Sequence, residues 1–165
     1  MTNSRDNPEG KYDSPIQDLP EFYERTLAVG GPDAVRLTEA AVAWVQGCKG
    51  GTPVLGKGVV RGPLYLTVPD RVGNRVKVLA IDTDGGISVN YSHMCDHSPY
   101  GDVKERLDVN RRLNEIDGIS IDDDYAVRCS WPKVRLDALR HEASRSAFFR
   151  VFDDVAARLS GASTS

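Results

Sequence analysis

No apolar run in the 165 residues approaches the roughly 20 needed to cross a bilayer, which excludes a helical membrane span. Positive charge is not in excess either. Lys plus Arg number 21 against 24 Asp plus Glu, giving a net charge of −3. That balance argues against a strongly basic nucleic-acid binder, although it leaves room for a local basic face. Cysteine is scarce: Cys48, Cys95 and Cys129 are widely spaced, odd in number and form no C-x-x-C pair. That pattern argues against a disulfide framework, and reduced thiols are expected. Residues 1–20 hold no apolar core, so they do not read as a secretory signal. The expectation is a cytoplasmic protein with no membrane partner. No internal repeat is present.

What is present is ordinary globular material, 40% hydrophobic and 27% charged. A chain this long suggests one domain that buries about two-thirds of its unfolded surface and needs no staple. Residues 1–17 are rich in Asn, Asp, Ser, Pro and Gly and read as a disordered leader. Residues 161–165 read as a frayed tail, which leaves a folded domain over 19–160.

The spacing predicts a short helix over 20–29, ended by Gly30-Gly31, and a second from Pro32 to Gly47 with Val35, Leu37, Ala41, Val42, Trp44 and Val45 on one stripe. Then the period changes to two. Strands are expected at 53–55, 64–68, 76–81 and 87–91, with Leu64, Leu66 and Val68 alternating with Tyr65 and Thr67. The third strand, Val76 to Ile81, reads as buried on both faces. Gly73-Asn74 and Asp84-Gly85-Gly86 are hairpin signals. A helix is expected over 102–116 with Val103, Leu107, Leu113 and Ile116 inward, and Gly118 ends it. Residues 125–129 read as a short strand broken by Trp131-Pro132. The last helix, 136–159, is expected to split near Ser144. Clustered strands followed by helices give an α+β fold, a small antiparallel β-meander packed against C-terminal helices. Trp44, Leu66, Val78, Leu79, Ile87, Val89, Leu113, Ile116, Phe148 and Phe152 are the expected core.

The run Leu79-Ala80-Ile81-Asp82-Thr83-Asp84-Gly85-Gly86-Ile87-Ser88-Val89 continues, after a loop, with Arg112-Leu113-Asn114-Glu115-Ile116, Gly118-Ile119-Ser120-Ile121 and Pro132. Together with Trp44, Gly56-Lys57-Gly58 and the Phe-bearing last helix, this cadence resembles an uncharacterised bacterial module found joined to restriction-endonuclease-like domains. The resemblance spans about 35–160 and includes no catalytic motif. It implies an accessory or interaction role in nucleic-acid metabolism or defence.

Several patterns approach known chemistry. Gly51 to Gly58 is one residue from a phosphate-binding P-loop. However, Gly58 stands where Ser or Thr must hold Mg²⁺, and a strand follows where a helix is required. A glycine-rich turn is the simpler reading. His93, Cys95 and His97 alternate and could, with Cys129, offer zinc ligands, or a thiol beside a base. Alternate positions on one strand wrap a tetrahedral ion poorly, so the expectation is no metal and no cofactor. Asp70 with Asp102-Val103-Lys104 mimics the acids and lysine of metal-dependent nucleases, but a helix start explains Asp102 equally well. Asp122-Asp123-Asp124 lacks the Gly and distal Glu of a calcium loop. Arg106, Arg111, Arg112, Arg140, Arg145, Arg150 and Arg158 are interleaved with acids, as salt-bridged faces are.

The reading that follows is a non-catalytic binding or interaction domain whose partner is a protein or a nucleic acid. The loop 93–101 joins the meander to the Arg-bearing helix. It makes His93, His97, Arg106 and Arg112 the candidate ligand-binding residues, for an anion or phosphate beside the Gly56–Gly58 turn. The alternative is a small enzyme or metal-binding protein built on His93, Cys95 and His97.

Overall fold

In the computed structural model, Asp18 accepts the Glu21 amide at 2.9 Å and Pro20 fills the first turn, so that helix α1 (Leu19–Gly47) starts where the sequence signals it. Residues 16–56 and 63–161 are described. Residues 1–15 of the expected leader 1–17, residues 162–165 of the expected tail 161–165, and the Lys57-Gly58 part of the glycine turn lie outside them. Ile16 is already buried against the core, so packing begins just inside the stretch read as leader. Gly31 breaks α1 with φ 79° and ψ −174°, a conformation that only glycine adopts without strain, and Pro32 restarts the helix. These are the two expected helices, joined end to end. Phe22, Leu37, Ala41 and Val45 face inward from α1.

Strands β1 (Thr52–Leu55), β2 (Leu64–Pro69), β3 (Arg75–Ile81), β4 (Ile87–Val89) and β5 (Lys133–Val134) form one antiparallel sheet in sequence order. Leu66 pairs with Leu79 and Thr67 with Lys77, leaving Val78 as an extra residue on β3. This bulge explains why β3 read as buried on both faces. Val78 and Leu79 are consecutive yet both sealed, because the strand shifts register between them. On either side of the bulge the alternation is clean. Val76, Leu79 and Ile81 face the helices, whereas Lys77 and Ala80 face away.

Helix α1 packs on β1 and β2, and α5 (Glu142–Leu159) packs on β2 and against α1. Trp44 stacks on Phe149 at 5.5 Å and donates to Asp153 at 2.8 Å, which locks α1 to α5. Helix α3 (Val103–Asn114) packs on α5 and on α4 (Asp123–Val127). The meander against C-terminal helices is therefore as expected, with α1 sharing the packed face. Gly85, at φ 84°, brings the β3–β4 turn onto α1, where a Cβ would sit 2.8 Å from that of Ala34.

Three local readings are corrected. Residues 125–127 belong to helix α4 and 128–129 to the turn that ends it: Asp122 caps the Asp124 amide at 2.9 Å, and acids in the first turn suit the helix dipole. Ala126 is buried, while Tyr125 and Val127 are exposed. Trp131-Pro132 leads into β5, which pairs Ser88 with Lys133. Val103 is exposed at the start of α3, and Val109 takes the inward place.

Candidate functional site

With helices on one side of the sheet, the residues of the opposite period form an open face. Ala80, the smallest of them, is flanked by its partners Tyr65 on β2 and Ser88 on β4. The resulting trough holds about 490 Å³ and is lined by Tyr65, Lys77, Ala80, Asp82, Ser88, Asn90, Ser92, His93 and Trp131, with Pro63 at one end. Beyond the β4–β5 pairing, the Val89 amide bonds Pro132 O at 2.9 Å and the Ser92 amide bonds Ser130 O at 3.1 Å, which places Trp131 beside Asn90. The indole is 64% exposed, unusual for the largest apolar side chain. Lys77 Nζ lies 4.3 Å from the Tyr65 ring centroid, so the ammonium is held over the trough by a cation–π contact.

His93 overhangs this face from α2 (Tyr91–Met94). Strand β4 ends before Lys77, and His93 Nδ1 accepts the Lys77 amide at 2.9 Å in place of a strand partner. An accepting Nδ1 carries no proton, so the neutral ring is protonated at Nε2. Burial, the neighbouring His97 and Lys77 all hold the His93 pKa below its ordinary value. The sign follows: below about pH 6.5 the unfolded chain binds a proton that the fold resists, so stability should fall as pH falls. His93→Asn keeps an acceptor near Nδ1 but cannot titrate. The loss of melting temperature between pH 7.5 and pH 5 should therefore be smaller in this variant. Equal losses in both proteins would show that His93 does not couple folding to protons.

His97 turns away from the trough. Its Nδ1 lies 3.0 Å from Asp70 Oδ2, and its ring is 5.2 Å from that of His93. Burial pushes the Asp70 carboxyl up, but the His97 bond and the Asn74 and Val72 amides outweigh it and hold the group below the ordinary carboxylate range. Its contribution is thus present above about pH 4 and lost below, a window separate from that of His93.

Cys95 Sγ faces the Ser92 carbonyl at 3.4 Å and interacts with the Cys129 thiol. Burial first, and then Cys129, push the Cys95 thiol up to about 11, which keeps it protonated at neutral pH and disfavours the thiolate a nucleophile needs. Among the described residues no three His, Cys, Asp or Glu groups are disposed to hold a metal ion. His93 and His97 each spend Nδ1 on a structural partner.

The arginines correct the expected site. Arg106 is 5% exposed. Its Nε donates to Ala126 O at 2.7 Å, and Nη1 donates to Tyr100 O at 2.7 Å and Gly101 O at 3.1 Å. It is a clamp inside the fold, with no face for a ligand. Arg112 pairs with Asp154 at 2.8 Å and lines a different depression with Glu115, Asp117 and Arg150. Arg111 and Arg158 are likewise paired, with Asp108 and Glu115 and with Glu105. The acids read as nuclease or calcium mimics act in turns and caps: Asp70 accepts Asn74 and Val72, Asp102 accepts the Lys104 amide, and Asp122 caps α4.

Of the four predicted ligand residues, only His93 lines the trough. Tyr65, Lys77, Asn90 and Trp131 were missed, although the polar half of each strand's alternation carries three of them. A further cleft of about 1030 Å³ lies between the ends of α1 and α5. Half of its lining residues are Gly, Ala or Ser, and Trp44 there is already bonded to Asp153. Compared with family models, curated proteins and solved structures, the chain matches none.

Proposed function

We propose that this chain is a non-catalytic binding domain that takes its ligand on the open face of the sheet. The observation that carries this reading is the trough over Ala80, with the exposed Trp131 ring at its side and Lys77 held above it. A concave surface with one aromatic wall and a few convergent polar groups is what small-ligand recognition requires. A non-catalytic role is favoured because the thiol considered as a nucleophile, Cys95, is held protonated and turned to a carbonyl, and the base considered beside it, His93, uses Nδ1 to finish a strand. The accessory role that the sequence resemblance implies is compatible with such a domain.

The test is amide-resonance NMR with a chemically diverse probe set: acetate, inorganic phosphate, a tripeptide, a monosaccharide and a mononucleotide, each at millimolar concentration. Shifts gathered at Tyr65, Lys77, Asn90 and Trp131 for at least one probe are expected. Silence on this face, or shifts confined to the cleft at Trp44 and Asp153, would overturn the reading.

A further inference from the structure

The donor groups at one end of the trough define its ligand more closely. Asn90 is only 9% exposed, and its Oδ1 accepts from Ser92 Oγ at 2.6 Å. Its amide nitrogen has no hydrogen-bond partner among the described residues, and the side chain lines the trough. The side chain is mostly covered, yet this nitrogen opens onto the trough, where its donors are free for a ligand. His93 adds a second free donor: with Nδ1 accepting from Lys77, the ring proton is on Nε2. Lys77 adds a third, its ammonium fixed over Tyr65. Asn90, His93 and Lys77 cluster around the bulge, where the backbone N–H of Asn90 donates to Val78 O at 3.0 Å.

The opposite end is of opposite character. Asp82 lies five residues beyond Lys77, roughly 15 Å along an extended chain. Its carboxylate pairs with Lys133 at 3.4 Å, and burial, with Asp84 beside it, raises its pKa while Lys133 opposes the rise. Between the ends lie Ala80 as a flat floor, Ser88, and the Trp131 ring at the side. Three donors at one end suit an anion with several acceptor oxygens. The flat floor and the indole suit a planar ring. The carboxylate suits hydroxyl or amino donors on the ligand's far side.

We infer that the trough binds a nucleotide, with its phosphate among Lys77, His93 and Asn90 and its base over Ala80 against Trp131. This rests on the sheet-face reading above and names its ligand class. A volume of about 490 Å³ accommodates one mononucleotide. The same chemistry is offered by a free nucleotide and by the 5′-phosphorylated end of a single strand.

The test is titration of the full chain, by calorimetry and by the fluorescence of a Trp44→Phe protein in which Trp131 is the remaining indole. The probes are adenosine 5′-monophosphate, uridine 5′-monophosphate, the unphosphorylated nucleosides, inorganic phosphate, and a short single-stranded oligonucleotide with and without a 5′-phosphate. The monophosphates should bind at least about tenfold tighter than their nucleosides and quench Trp131, with affinity falling as salt rises. Lys77→Met should lower nucleotide affinity about tenfold. Asn90→Asp keeps the Oδ1 acceptor for Ser92 but replaces donors with charge, and it should abolish nucleotide binding while leaving the weaker nucleoside binding in place. Melting curves confirm that each variant is folded. Binding of the phosphorylated oligonucleotide but not the mononucleotides assigns the strand end as the source; the reverse assigns the free nucleotide. Equal affinity for nucleotides and nucleosides, or no binding of either form, overturns the inference. If nucleotides are silent while the tripeptide or the monosaccharide still shifts the sheet face, the ligand class is wrong and the binding domain stands. If every probe is silent there, both fall.

Discussion

Replacing Arg106 by Ala is expected to destabilise the protein by about 3–5 kcal/mol. The guanidinium joins two segments, the end of the 93–101 loop through Tyr100 O and Gly101 O, and α4 through Ala126 O. Charged hydrogen bonds contribute about 1.5–3 kcal/mol each, and deleting the donor also leaves carbonyls unpaired in a site that water reaches poorly. The bonds share one side chain, so their losses will not simply add. Arg106→Lys should recover less than half of the loss, because an ammonium lacks the planar fork that reaches both segments. Chemical denaturation measures both. A loss under about 1 kcal/mol for the Ala variant would mean that α4 is held by packing alone. A surface arginine that only met an anion would leave stability intact when replaced, so the denaturation measurement separates the two roles.

Phe148→Ala should cost a comparable amount, roughly 3–5 kcal/mol, through the cavity it leaves. Phe148 is fully buried and meets Phe149 at 5.4 Å and Phe152 at 5.0 Å. These rings lie at the junction of α5 with the sheet and α1, where Trp44 stacks on Phe149. Collapse of the cavity is opposed by the sheet and α1 as well as by α5 itself, so relaxation should recover little of that cost. An unchanged denaturation midpoint would show that α5 is not docked on the sheet as described.

The periodic features of this chain were legible, and the features set by a single long-range partner were not. Apolar stripes located α1 and α5, and hairpin glycines located the meander. The Gly30-Gly31 break was read correctly because a helix pause is a local event. The β3 bulge left a trace, two adjacent apolar residues, but one sequence cannot distinguish a bulge from a strand buried on both faces. Residues 125–129 misled because Tyr and Val suit strands, while the deciding force was the Asp122 cap. Arg106 looked like a surface cation because helix spacing does not reveal that three carbonyls await it. The trough was half visible: Tyr65 and Lys77 occupy outward positions of β2 and β3, and Asn90 follows β4 directly. Trp131 joins them only through the β4–β5 pairing, forty residues away in sequence.

The sheet's margins bear on how a partner can approach. Many domains recruit an extended peptide by letting it continue the sheet, which requires a long border of unpaired backbone groups. Here one border is β5, two residues preceded by Pro132, and the other is β1, four residues that include Pro53. Proline has no amide proton to offer, and so short a border gives little ladder to extend. These margins protect the protein from polymerising through its own strands. They also close the edge route of recognition, so a partner must be met broadside.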